Sequence, residues 1–176
     1  MMGAGKSSVA KDVAAQLGWA VADTDDVVEH GAGMTVARIF ADQGEEAFRE
    51  AESGAIGHLA LAAGPLVVSV GGGAVLRPEN RVAMAQRGTV VWLRARPGTL
   101  AARVGRGEKR PLLARAGSGA GSGRGGGRGL VQVLARLSAE RQPLYEEVAD
   151  VVVDVDGLTV AQVARLVVAQ LSALQG

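Results

Sequence analysis

Apolar residues recur along this chain with two different periods, and the alternation between them lays out a fold. Val9, Val13, Ala14 and Leu17 fall on one face of a helix over residues 5–17, and Gly18 follows as a natural C-cap. AVAD, residues 20–23, is a short apolar run ending in acid and reads as a strand. From Thr35 to Gly64 the spacing fits two helices separated near Gly44. LVVSV, residues 66–70, has the pattern of a strand buried on both faces. A helix is expected over 79–87, a second buried strand over 89–95, and a helix from Pro97 to about Arg106, since proline suits a first helical turn. Residues 107–129, GEKRPLLARAGSGAGSGRGGGRG, are polar, basic and glycine-rich and read as a loop. A long helix over 130–148, interrupted at Pro143, then precedes a strand over 150–155 and an amphipathic closing helix over 158–174.

Strands that alternate with helices predict an α/β fold, a three-layer parallel sheet with helices on both faces, in one domain over residues 1–176. Right-handed crossovers put the C-terminal strand ends along one edge, where ligands bind. Asp23, Gly71 and the segment around Gly5 are all expected at that edge.

Composition narrows the function. The absence of cysteine excludes disulfides, thiolate zinc sites and cysteine nucleophiles. A net charge of +1 provides no field that would draw the chain to nucleic acid or membrane. The most apolar stretch, HLALAAGPLVVSV, is too short to span a bilayer, and the start shows no signal-peptide pattern. A cytoplasmic protein without nucleic-acid or membrane partners is expected.

Chemistry gathers in six short motifs. GAGKSS, Gly3–Ser8, fits the second half of G-x-x-x-x-G-K-[ST]. In that pattern Gly5 allows a phosphate close to the backbone, Lys6 reaches the β- and γ-phosphates, and Ser7 ligates Mg²⁺. The helix N-terminus behind it adds unpaired N–H groups. The pattern's first glycine would fall one position before Met1, and the strand that normally feeds such a loop is missing from the sequence. DTDD, Asp23–Asp26, can place two carboxylates on one side of an extended segment, one to orient a metal-bound water and one to take a hydroxyl proton. It reads equally well as a helix N-cap with an acidic first turn. In FREAE, Arg49 can grip a carboxylate bidentately or form a solvated pair with Glu52. GGGA, Gly71–Ala74, allows close backbone approach after a buried strand. In KRPLL and ERQPLY, Arg110 and Arg141 can neutralise a transferring phosphoryl group, or be surface charges. His30 and His58 are not spaced with other ligands.

In their order along essentially the whole chain, GAGKS, DTD, FREAE, GGG, RPLL and RQPLY resemble shikimate kinase, of the P-loop nucleoside-monophosphate-kinase-like group. The resemblance implies transfer of the ATP γ-phosphate to the 3-hydroxyl of shikimate, with Mg²⁺ as cofactor and a monomeric enzyme. It implies that Gly3, Ala4, Gly5, Lys6, Ser7 and Ser8 hold the phosphates, and that Ser7 and Asp23 serve the metal. It implies that Asp25 accepts the reacting proton, that Arg49 and Arg141 clamp the substrate carboxylate, and that Gly71, Gly72 and Gly73 line its ring. Arg110 would be a lid arginine and Arg103 would pack on adenine. The lid is expected at about 105–130, with a glycine-rich insertion at 117–129. Where the group carries an arginine after the last strand, this sequence has Gly157.

The group's first strand lies in the middle of its sheet. Four parallel strands are therefore expected near 20–23, 66–70, 89–94 and 150–154, with an unfilled slot between the second and third. The simplest expectation is that residues ahead of Met1 supply the strand and glycine, and that the chain as given binds ATP poorly. Two other functions fit the same motifs: another kinase of the group, such as one for gluconate, or a catalytically impaired nucleotide-binding protein.

Overall fold

Left-handed glycines bracket the first helix. α1 (Lys6–Leu17) starts after Gly5, at φ 85°, and stops on Gly18, at φ 67°, conformations that cost a residue with a Cβ. A computed structural model of the chain describes residues 3–104 and 126–174. Beyond α1 come β1 (Ala20–Asp23), α2 (Thr24–Ala32), α3 (Val36–Asp42), α4 (Gly44–Ala60) and β2 (Leu66–Ser69). A 3₁₀ turn, Ala74–Leu76, leads into α5 (Pro78–Arg87), β3 (Val91–Arg94) and α6 (Pro97–Val104). α7 (Gly126–Val148), β4 (Val151–Asp154) and α8 (Val160–Ala173) complete the described chain. Thr159 and Gln162 close a capping box at the start of α8.

The strands pair as two parallel couples. β1 runs beside β2 with Ala20 opposite Leu66 and Asp23 opposite Ser69. β3 runs beside β4 with Val91 opposite Val151 and Arg94 opposite Asp154. Among the described residues no ladder joins β2 to β3. The expected slot is there instead, a cavity of about 630 Å³ walled by Val67 and Val68 on one side and Val91 and Leu93 on the other. Val9 and Val13 of α1 also line it, and Lys6, Gly71 and Gly72 lie at its functional end.

Adjacent residues of a strand face opposite ways, so burial of both Trp92 and Leu93 shows that β3 is covered on two sides. One core cluster links Val13, Trp92, Leu100, Leu134, Val153 and Ala164 across α1, β3, α6, α7, β4 and α8. A second, built on Val28, Ile39, Phe40, Phe48 and Ala55, ties α2, α3 and α4 into a flank with its own aromatic contact, Phe40 on Phe48 at 4.7 Å.

Three expectations change. The helix of residues 130–148 is not interrupted at Pro143. α7 runs through that proline, which sits on the exposed side, where the Ala139 carbonyl left without an i+4 donor faces water. α7 also begins at Gly126, inside the segment read as loop, because extending a formed helix is cheaper than nucleating one. Thr24–Ala32 is helical, so DTDD takes the cap and acidic first turn, and Asp23 and Asp25 do not share an extended segment. Arg110, and the expected lid up to residue 125, lie outside the described residues. Among the described residues no helix is long and apolar enough to cross a membrane.

Candidate functional site

Three chain segments meet where α1 begins. Ser7 Oγ donates to Asp23 Oδ2 at 2.6 Å and lies 3.4 Å from Ser69 Oγ, so the start of α1 is tied to the ends of both β1 and β2. Gly3 and Gly5 hold positive φ in this turn. A Cβ on Gly3 would come within 2.9 Å of the Leu100 carbonyl oxygen, so the loop needs glycine for space as well as for conformation. Arg103 reaches across to this loop: it donates to the Ala4 carbonyl at 3.4 Å and to the carbonyls of Val155 and Leu158 at 3.1 and 3.4 Å. In the structure its guanidinium thus joins the phosphate-type loop to the turn that holds Gly157.

The acidic motif is organised by its cap. Asp23 Oδ1 accepts the Asp25 N–H at 3.0 Å and starts α2. Thr24, fully buried between them, accepts the Gly71 N–H on its Oγ1 at 3.1 Å. The DTD and GGG segments are thereby fastened to each other.

On α4, Arg49 and Glu52 form a pair, but not the solvated one. Arg49 is 5% exposed and Glu52 is 0% exposed. Arg49 Nη1 donates to Glu52 Oε2 at 2.7 Å, and Nη2 donates to Glu45 Oε1 at 3.2 Å. Burial pushes the Glu52 carboxyl above its ordinary range, against the pull of Arg49. Glu52 Oε1 has no hydrogen-bond partner among the described residues. It presses on the GGG segment, where a Cβ on Gly71 would run into Glu52 Oε1 and one on Gly73 into the Arg49 guanidinium. Two of the three glycines are therefore fixed by close approach.

From the other side, Arg141 Nη1 and the Tyr145 hydroxyl both donate to the Gly72 carbonyl, at 3.0 and 2.6 Å. Tyr145 stacks on Trp92 at 5.2 Å, and burial pushes its hydroxyl up to about 12. Asp25, Arg49, Glu52, Gly71–Gly73 and Arg141 thus surround one place, beside the start of α1. Two cationic groups there suit a carboxylate, and a helix N-terminus with Lys6 suits a phosphate. His30 and His58 are both exposed and stand apart from it. Among the described residues no group of three or more histidine and acidic side chains could cage a metal ion. Ser7 and Asp23 are the hydroxyl and carboxylate that an ion held mainly by waters and phosphates would need.

Thr24 and Tyr145 lie within DTD and RQPLY, but the sequence pattern gives neither of them a role. Their signals are weak: a threonine between two aspartates, and a tyrosine four positions after Arg141.

The family model described as shikimate kinase matches residues 2–172. The shikimate kinase of Ralstonia nicotianae is 41% identical over 171 residues, 97% of this chain and 83% of that protein. That of Francisella tularensis subsp. novicida is 38% identical, over 93% of this chain and 86% of that one. Among solved structures, the Acinetobacter baumannii shikimate kinase in complex with shikimate is similar with a TM-score of 0.85 at 31% identity, covering 98% of this chain and 89% of that one. The Bacteroides thetaiotaomicron shikimate kinase is similar with a TM-score of 0.83 at 28% identity, covering 99% of this chain and 94% of that one.

Proposed function

This chain belongs to the shikimate kinase family, and from that premise we propose that it transfers the γ-phosphoryl group of ATP to the 3-hydroxyl of shikimate, giving shikimate 3-phosphate and ADP. The observation that carries the reading is the convergence of Arg49 and Arg141 on the Gly71–Gly73 segment, beside Asp25 and the start of α1. Paired guanidinium groups suit the carboxylate of a cyclic acid, and a loop without side chains suits its ring.

Phosphoryl transfer asks for position and charge more than covalent help. In the proposed reaction the 3-hydroxyl loses its proton to the Asp25 carboxylate as its oxygen bonds to the γ-phosphorus, and the bond to the ADP oxygen breaks. The loop from Gly3 to Ser8 holds the phosphates, with Lys6 at the transferring end. Arg110 is proposed to meet the same phosphate from the lid, and Arg103 to border the adenine. Ser7 and Asp23 would hold a Mg²⁺ with its waters; when bound, the ion neutralises charge on the phosphates. We propose a cytoplasmic monomer with no nucleic-acid partner.

The test is phosphoryl transfer with shikimate and with gluconate as alternative acceptors. Turnover of shikimate alone is expected, and Asp25→Asn is expected to abolish turnover while ATP still binds. Preference for gluconate, or lost ATP affinity in Asp25→Asn with normal turnover at saturation, would overturn the assignment. The slot between β2 and β3 favours a second reading, in which the chain binds nucleotide weakly and turns over slowly for want of a strand behind its phosphate loop.

A further inference from the structure

The GGG segment is held by more than its own turn. Its Gly71 N–H is taken by Thr24 Oγ1 from α2, and its Gly72 carbonyl by Tyr145 and Arg141 from α7. The Gly71 carbonyl is taken in turn by the Ala74 N–H at 3.1 Å. What remains unclaimed among the described residues is the pair of amides of Gly72 and Gly73. All peptide bonds here are trans. A trans peptide unit points its C=O and its N–H in opposite directions, so drawing the Gly72 carbonyl toward α7 turns the Gly73 N–H away from α7. By the same geometry, drawing the Gly71 N–H toward Thr24 fixes the Val70 carbonyl on the opposite side. Side chains on two helices thus set the rotation of the two peptide planes that flank the Gly71–Gly72 unit.

We propose that Thr24 and Tyr145 are positioning residues for the acid substrate: they clamp the Gly71–Gly73 backbone from opposite sides, and Tyr145 shares the Gly72 carbonyl with Arg141 so that this arginine keeps its remaining donors for the ligand. This rests on the reading of the site as a shikimate site. A carbonyl oxygen has two lone pairs and can serve both donors at once. Tyr145 and Arg141 are four apart on α7, hence on one face and one above the other. The ring of Tyr145 is fixed by Trp92, so its hydroxyl cannot follow a displaced loop. The hydroxyl remains a donor across the ordinary pH range, because burial keeps its proton on. Thr24 is 0% exposed, so its hydroxyl is held beside the Gly71 N–H, and its loss leaves that amide without its protein partner.

Two conservative variants remove only the atoms in question. Tyr145→Phe keeps the stack on Trp92, and Thr24→Val keeps the shape of the side chain. Each is expected to raise the KM and the calorimetric Kd for shikimate about five- to thirtyfold, the range of one hydrogen bond lost with its partner left unpaired. The KM for ATP should stay within about twofold, since the phosphate loop is held by other contacts. The double variant should lose less than the product of the single effects, because both act on one backbone segment. Hydrogen exchange gives a reading without ligand: the Gly71 amide should exchange faster in Thr24→Val while the amides of α7 do not change. Equal losses of shikimate and ATP affinity with lowered Tm would show a merely structural role and overturn the proposal. So would an unchanged shikimate Kd in both variants. A wild-type chain that binds another acid in place of shikimate, with the variants still weakening that acid selectively, would instead refute the substrate assignment and leave the positioning role standing.

Discussion

Arg49 shows how a single side chain changes meaning once its surroundings are known. FREAE is compatible with a surface pair and with a carboxylate clamp, since spacing along a helix says nothing of what covers that face. Burial decides, because Arg49 and Glu52 are shut off from solvent and Glu52 keeps one oxygen without a partner. Arg49→Ala is expected to weaken shikimate binding by about 2–4 kcal/mol, the scale of leaving one member of a buried charge pair alone. It should also destabilise the fold in a pH-dependent way. Removing the cation lets the already raised Glu52 carboxyl rise further. A carboxyl raised in the folded state contributes stability below its unfolded value and loses it as pH rises through the folded one. The stability gap between wild type and Arg49→Ala should therefore widen from about pH 4 to pH 8 in urea titrations. A gap that stays flat or narrows would mean that Arg49 does not control Glu52. The roles of Thr24 and Tyr145 are illegible for a related reason. Their partners are a backbone N–H 47 residues away and a backbone carbonyl 73 residues away, and such groups leave no mark on a sequence pattern.

Elements were legible wherever a period and a cap agreed. The helix behind the glycine loop, the apolar run LVVSV and the closing helix behind Thr159 all fall where the pattern puts them, within a residue or two. The pattern fails in α7, because the helix-breaking rules for proline and glycine take no account of tertiary context. Interior proline costs a helix roughly 3 kcal/mol, yet here packing of Leu134, Leu137, Tyr145 and Val148 holds both sides of it together. Pro143 stands two positions after Arg141 and two before Tyr145, the two residues that donate to the Gly72 carbonyl, and its ring constrains the backbone between them. Pro143→Ala is expected to raise stability by about 1–3 kcal/mol, with Tm rising about 2–4 °C per kcal/mol. The same change should raise the KM for shikimate and leave that for ATP alone. A variant with lower Tm, or with unchanged kinetics for both substrates, would show that the proline neither strains the helix nor aims the arginine.

At the scale of the whole molecule the strands and helices are those of a doubly covered parallel sheet, but the sheet is divided. β2 and β3 face each other across a cavity walled by apolar side chains on both strands. Neighbouring strands lie about 4.8 Å apart, so two strands that flank a missing one stand roughly twice that distance apart, which is the room a single strand needs. Helices cover β3 on two sides, so an occupant would be buried on both faces and would have to be apolar throughout. Lys6, Gly71 and Gly72 sit at the end of the slot, where a strand running parallel to β2 and β3 would lead into the turn at Gly3. Five buried β-branched residues would contribute about 7–15 kcal/mol by area and lose about 5–10 to chain ordering, a net gain of a few kcal/mol. The chain lengthened ahead of Met1 by such a strand and a glycine is accordingly expected to melt roughly 5–15 °C higher. It should also bind ATP more tightly, because the strand would aim the loop that Lys6 and Ser7 complete. An extension of equal length with proline and aspartate in the strand should do neither, since it can fill neither the apolar walls nor the backbone ladder. Equal melting temperature and equal ATP affinity with and without the apolar extension would show that the divided sheet is complete as it stands, and that the loop needs no strand behind it.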